Sequence, residues 1–121
     1  MTQIQKTKTY DLEERTFYFA RRCRDFVRSL PNSIANIEYG KQLIRSSGSQ
    51  AANYIEANES ISKKDFSHRV KICRKEAKES RLWLRLCHTG DDNGLKTQQA
   101  ELIAEAIELT KIFNSIVTKS E

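Results

Sequence analysis

The stretch Ser62–Cys87, SKKDFSHRVKICRKEAKESRLWLRLC, decides the architecture of this chain. Phe66, Val70, Cys73, Ala77, Ser80, Leu84 and Cys87 step by four and three, the spacing that lines up one face of an α-helix. Lys64, Lys71, Lys78 and Arg85 recur every seven residues on another face, joined by Arg74, Lys75 and Arg81. Residues 63 to 85 carry nine Lys/Arg against three Asp/Glu, a local charge of +6 in a protein whose total is +5. One helix therefore holds the whole positive excess.

Working outward, the same periodicity predicts three more helices. A first spans about 11–29, with Leu12, Thr16, Phe19, Cys23, Phe26 and Leu30 as its stripe. Asp11 and Glu14 have capping-box spacing at its start, and Leu30-Pro31-Asn32 ends it. A second covers about 34–59 and is marked by Ile34, Ile37, Ile44, Ala51 and Ile55. The third covers about 63–88, with Ser62 and Asp65 at its cap. A fourth, about 94–118, follows a polar loop and carries Leu102, Ala106, Leu109, Phe113 and Ile116. Short connections between helices of similar length imply one domain over 1–121, an all-α, antiparallel up-and-down four-helix bundle. Seven-residue spacing implies left-handed, coiled-coil-like packing.

Secondary stripes lie off these seams: Ile72, Trp83 and Leu86 on the third helix, Ile103, Ile107 and Val117 on the fourth. They fit either a wide core face or contacts between subunits, so a homo-oligomer is an expectation. Ser46, Ser47, Gly48, Ser49, Ala51 and Ala52 leave the second helix with little bulk, which suits close approach by a neighbouring helix.

Composition narrows the function classes. No run approaches the ~20 apolar residues that a membrane span needs. Met1–Tyr10 is polar and basic without an apolar segment, unlike a secretory leader. Cys23, Cys73 and Cys87 fall on core positions, which reads as reduced, buried thiols in a cytoplasmic protein. A concentrated basic face favours an anionic partner, although solvated lysine-rich faces are common.

The segment Gly40–Ala57, GKQLIRSSGSQAANYIEA, together with Ser62–Phe66 and Lys75–Leu84, resembles the bacterial four-helix bundle proteins encoded in intervening sequences of large-subunit (23S) ribosomal RNA genes. Ala57 stands where that family usually has Gly. The resemblance implies a homopentameric ring of bundles. A similar fold and assembly occur in the accessory protein of diversity-generating retroelements, which binds RNA and a reverse transcriptase through basic surfaces. Both comparisons imply a nucleic-acid-associated, non-catalytic oligomer without a cofactor.

The motif residues also have a physical reading. Arg45, Ser49, Ala52 and Glu56 share a stripe of the second helix. Reversal of the chain near Ile61 sets Arg45 level with Glu76 and Glu79, and Glu56 level with Arg69 or the start of the third helix. The expectation is a structural polar network of Arg45, Asn53, Glu56, Glu76 and Glu79, within or between subunits.

Catalytic and metal chemistry find little to work with. Asp65 and His68 have the spacing of a di-iron carboxylate–histidine pair, but no second copy exists. Arg81 and His88 resemble the Arg-x4–6-His element of the all-helical HEPN ribonucleases, and on one helix they would share a face. Leu82 stands where that family commonly has a polar residue, and His88 could instead cap the helix end. No phosphate-binding glycine loop or nucleophile set is present. The expected function is sequence-tolerant binding of RNA or DNA through Lys64, Lys71, Arg74, Lys75, Lys78, Arg81 and Arg85, with Arg21, Arg22, Arg24 and Arg28 extending the patch. The alternative is a protein adaptor ring. The choice turns on whether the acidic stripe Glu101, Glu105 and Glu108 neutralises the basic face.

Overall fold

The computed structural model describes residues 8–120. Four helices follow one another, α1 (Lys8–Arg28), α2 (Ile34–Asn58), α3 (Lys63–Leu86) and α4 (Asn93–Ser120), and the described residues include no strand. Local chemistry explains the breaks. Ser33 and Ser62 cap α2 and α3, their hydroxyls accepting from the backbone N–H of Asn36 and Asp65 at 3.1 Å. Asp92 Oδ1 accepts from Leu95 N at 3.0 Å at the start of α4. Between α3 and α4 the chain reverses through Gly90, whose φ of 67° lies in the left-handed region that favours glycine. The capping box expected at Asp11 and Glu14 is not the start of α1: the helix already runs from Lys8, which puts Asp11 inside it.

Side-chain contacts fix every pair as antiparallel. Asn58 donates to Glu13 while Gly40 lies against Val27 (α1/α2). Ser46 meets Ser80, and Asn53 accepts from Arg69 (α2/α3). Gln99 reaches the Leu84 carbonyl and Arg74 reaches Asn114 (α3/α4). Arg15 meets Glu105 and Arg22 meets Glu101 (α1/α4). Each helix backbone runs close to its two neighbours and to no helix across the diagonal, where only core side chains meet, so the section is a square in chain order.

The predicted stripes of α1, α3 and α4 form the core: Leu12, Phe19, Cys23 and Phe26; Val70, Cys73, Ala77 and Leu84; Leu102, Ala106, Leu109 and Phe113. Complete burial of each large side chain contributes roughly 1.5–3 kcal/mol. Val117 also lies in the core, with Trp83 and Ile103 packed against it, so much of the secondary stripes belongs to a wide core face. Leu86 remains exposed.

Helix α2 departs from expectation. Ile34, Ile37, Ile44 and Ile55 face outward, each at least 44% exposed, and the buried face is Asn36, Gly40, Leu43, Ser46, Ser47, Gln50, Tyr54 and Ala57. Small and polar residues turn inward because they let α1 and α3 approach closely. Asn36 also ties the bundle end together: its Nδ2 donates to the carbonyls of Pro31 and His88, and its Oδ1 accepts from His88 N, all at 2.9 Å.

Gly40 is the tightest of these approaches, since a Cβ there would stand 2.7 Å from Val27 Cγ1. Gly40→Ala is expected to lower unfolding stability by about 1–3 kcal/mol despite its gain in helix propensity. In a Val27→Ala background the same change should cost much less, and urea titration of the four proteins measures the coupling.

Candidate nucleic-acid interface

The helical pitch of α3 turns its basic residues away from the core stripe. Lys64, Lys71, Lys75, Lys78, Arg81 and Arg85 are exposed, and Arg74 is half-buried. Arg74 Nη1 donates to the neutral Asn114 Oδ1 at 2.8 Å, which holds it toward α4. Lys75 lies 3.8 Å from Glu79, one turn further on. Lys78, Arg81 and Arg85 make no ion pair with the described residues.

The acidic stripe of α4 points elsewhere. Arg15 of α1 makes a two-pronged bond to Glu105, at 2.7 and 2.9 Å, and this raises the Arg15 pKa above its ordinary value. Arg22 bonds Glu101 at 2.8 Å, and Glu108 lies 3.6 Å from Lys111 on its own helix. The stripe is thus paired along the α1/α4 side, leaving Lys78, Arg81 and Arg85 without a carboxylate partner among the described residues. These contacts also correct the expectation that Arg21, Arg22, Arg24 and Arg28 extend the α3 patch. Helices α1 and α3 sit on a diagonal of the square, Arg22 is bound to Glu101, and Arg24 is paired with Asp25 at 3.0 Å.

The α2/α3 seam holds the polar residues around Arg45. Glu76 is buried, and its Oε2 accepts from Ser49 Oγ at 3.0 Å. Arg45, more than half exposed, reaches Glu76 at 4.0 Å and Glu79 at 3.9 Å. Asn53 donates to the Ser49 carbonyl and accepts from Arg69 Nη1 at 3.0 Å. Glu56 is brought no closer to this group: Arg69 bonds Asn53 instead, and Glu56 shares only a shallow surface depression with Arg69, Asp65 and His68.

Helix α3 ends at Leu86, so His88 lies beyond the register that would set it on one helical face with Arg81. Its backbone is held by Asn36, and its side chain is exposed. Among the described residues no group of three or more His, Cys, Asp or Glu side chains is placed to hold a metal ion. Among those residues, no helix is long and apolar enough to cross a membrane.

Sequence reasoning missed an exposed cluster on α1. Phe17 and Tyr18 are each about half exposed, and the Arg21 guanidinium lies 5.4 and 5.5 Å from their ring centroids. Two adjacent aromatics followed by Arg at the third and fourth positions could have marked it. Asn36 was missed too, because an isolated Asn near a helix start reads as surface.

Four antiparallel helices with one basic outer face define a small helical-bundle protein. The sequence pattern of the 23S rRNA-intervening sequence proteins matches residues 8–115, and the chain belongs to that family. A crystal structure of a protein of unknown function from the S23 ribosomal protein family of Bacteroides thetaiotaomicron is similar, with 28% identity and a TM-score of 0.71 over 87% of this chain and 96% of that one. No curated protein matches the sequence.

The three cysteines are free and buried. Burial pushes the Cys23 and Cys73 thiols up to about 12 and Cys87 to about 11, because a thiolate is poorly solvated in the core. The unfolded chain ionises near 9.0, so stability is full below that pH and falls as pH rises toward 12. At pH 8 a thiol reagent should label none of the three within the time that labels all of them in denaturant. Fast native labelling of Cys23 or Cys73 would contradict this packing.

Proposed function

We propose that this protein is a non-catalytic nucleic-acid-binding bundle that takes RNA or DNA, with little sequence preference, on the α3 basic face. The observation that carries the reading is the segregation of charge: α4 carboxylates are paired with α1 arginines or with their own helix, while Lys78, Arg81 and Arg85 have no carboxylate partner among the described residues. Lys64, Lys71, Arg74 and Lys75 complete the proposed phosphate-contacting surface. Family membership supports an RNA-linked context without naming a ligand.

Assembly into a ring, pentameric by resemblance, is part of the proposal, since repeated weak faces raise the effective concentration for each further contact. A cytoplasmic setting suits three unbridged cysteines. The exposed isoleucines of α2 favour a second reading, a ring that adapts another protein, such as a reverse transcriptase, to a nucleic acid.

Binding to labelled single-stranded RNA and duplex DNA should weaken linearly in log–log salt across ~50–200 mM. Replacing Lys78, Arg81 and Arg85 together by Ala should lower that slope by roughly 2–3 for either ligand. Intact protein that binds neither ligand at the lowest salt would hand the function to the adaptor reading.

A further inference from the structure

Phe17 and Tyr18 serve neither the core nor the helix. The core stripe of α1 runs through Leu12, Thr16, Phe19, Cys23 and Phe26, all buried, and both rings lie off it at 54% and 52% exposure. Phenylalanine and tyrosine are also weaker helix formers than the alanine, lysine or glutamate that suit an outer helix face. Two adjacent half-exposed rings on a rigid helix therefore point to a ligand outside the bundle.

The charge around the rings selects that ligand. Phe17, Arg21, Arg24 and Arg28 step by four, three and four along α1, the spacing of one helix face, and all four are exposed. The Arg21 guanidinium sits over both rings, and the Arg22 guanidinium lies 5.8 Å from the Tyr18 centroid. Arg21 and Arg28 have no carboxylate partner among the described residues, and Arg24 shares an exposed pair with Asp25. On the α4 side Tyr18 borders Glu101, Glu105 and Glu108, whose charges are met by Arg22, Arg15 and Lys111. Glu14 borders the rings from the turn before them, so the positive run extends the other way, from Arg21 to Arg28.

Aromatic faces beside a guanidinium, at one end of a run of arginines, suit an unpaired base and the phosphates that follow it. The rings and the planar guanidinium offer stacking surfaces to any base, and the arginines meet the backbone. In a duplex each base face is covered by its neighbours, so a single strand alone can use the rings. From Phe17 to Arg28 the helix rises about 16 Å, room for a short run of nucleotides.

We propose that the outer face of α1 is a single-strand site, with an unpaired base stacked on Phe17 and Tyr18 beside Arg21, and with Arg24 and Arg28 meeting the phosphates that follow. Helices α1 and α3 stand on a diagonal of the square, so this site is separate from the α3 basic face and stands or falls apart from it. The α3 face takes phosphates of either form, and α1 adds the distinction between unpaired and paired strands.

A labelled RNA oligonucleotide, alone and annealed to its complement, tests the site. It is titrated with wild type, with Phe17→Ala/Tyr18→Ala, and with the α3 variant in which Lys78, Arg81 and Arg85 are replaced by Ala. Circular dichroism and light scattering on the same samples report helicity and mass. The α1 variant should keep its helicity, weaken single-strand binding at least about fivefold, and hold the duplex within about twofold of wild type. Its salt slope for the single strand should not change, because stacking releases no counterions, whereas Arg21→Ala should lower that slope by about 0.7. Unchanged single-strand binding, or equal losses for single strand and duplex, overturns the site. Intact single-strand binding with a lowered mass gives the cluster to contacts between copies and also overturns it. A wild type that binds neither form overturns this site and the α3 face together. An α3 variant that binds both forms like wild type, beside an α1 variant that loses the single strand, overturns the α3 reading alone.

Discussion

The hydroxyls of Ser46 and Ser80 meet at 2.8 Å in the middle of the bundle, and two helices can bring them that close only where neither carries bulk. This close approach along α2 is the constraint on which the rest of the structure depends. Gly40 against Val27 does the same toward α1, while Ser47 helps hold Cys23. With α2 drawn in, Leu43 and Tyr54 reach the centre and Tyr54 packs on Phe113 of the diagonal helix, with ring centroids 5.9 Å apart. The consequence on the outside is equally direct. A helix whose inner face is small and polar must carry its isoleucines outward, where they are available to another chain.

Charge is sorted by the same square. Helix α4 stands between α1 and α3 and could pair with either. Its Glu101 and Glu105 project to the α1 side, and the arginines there satisfy them at 2.7–2.9 Å. The opposite edge of α4 offers α3 the neutral Asn114. Exposed pairs of this kind add little stability, but they decide where the protein's field points. The basic field is left on α3, and the seam between α2 and α3 keeps a carboxylate with an unfilled oxygen. The exposed basic residues of α3 and its seam with α2 are thus separate surfaces of one helix.

Three of the four core stripes were legible in the sequence because α1, α3 and α4 bury their apolar residues in the ordinary way, at heptad spacing. Helix α2 was misread because its most hydrophobic residues, Ile34, Ile37, Ile44 and Ile55, are not its core. Periodicity finds an apolar face but does not say which surface covers it. The cap at Ser62 was readable from a local hydroxyl three residues before a backbone N–H, whereas Asp11 had the same spacing and no helix start. Local spacing permits a cap, and the preceding chain decides whether the helix has already begun.

By itself the sequence determined four helices, their order, their antiparallel sense and the concentration of positive charge on the third. These follow from spacing, short connections and composition, all of which are properties of neighbours along the chain. The tertiary structure alone decided that α4 carboxylates turn to α1, that Glu56 stays outside the Arg45 group, and that Phe17, Tyr18 and Arg21 form one cluster. Those outcomes depend on the rotation of each helix about its axis, which is set when side chains from four helices compete for one interior. A single helix read alone leaves that rotation undetermined.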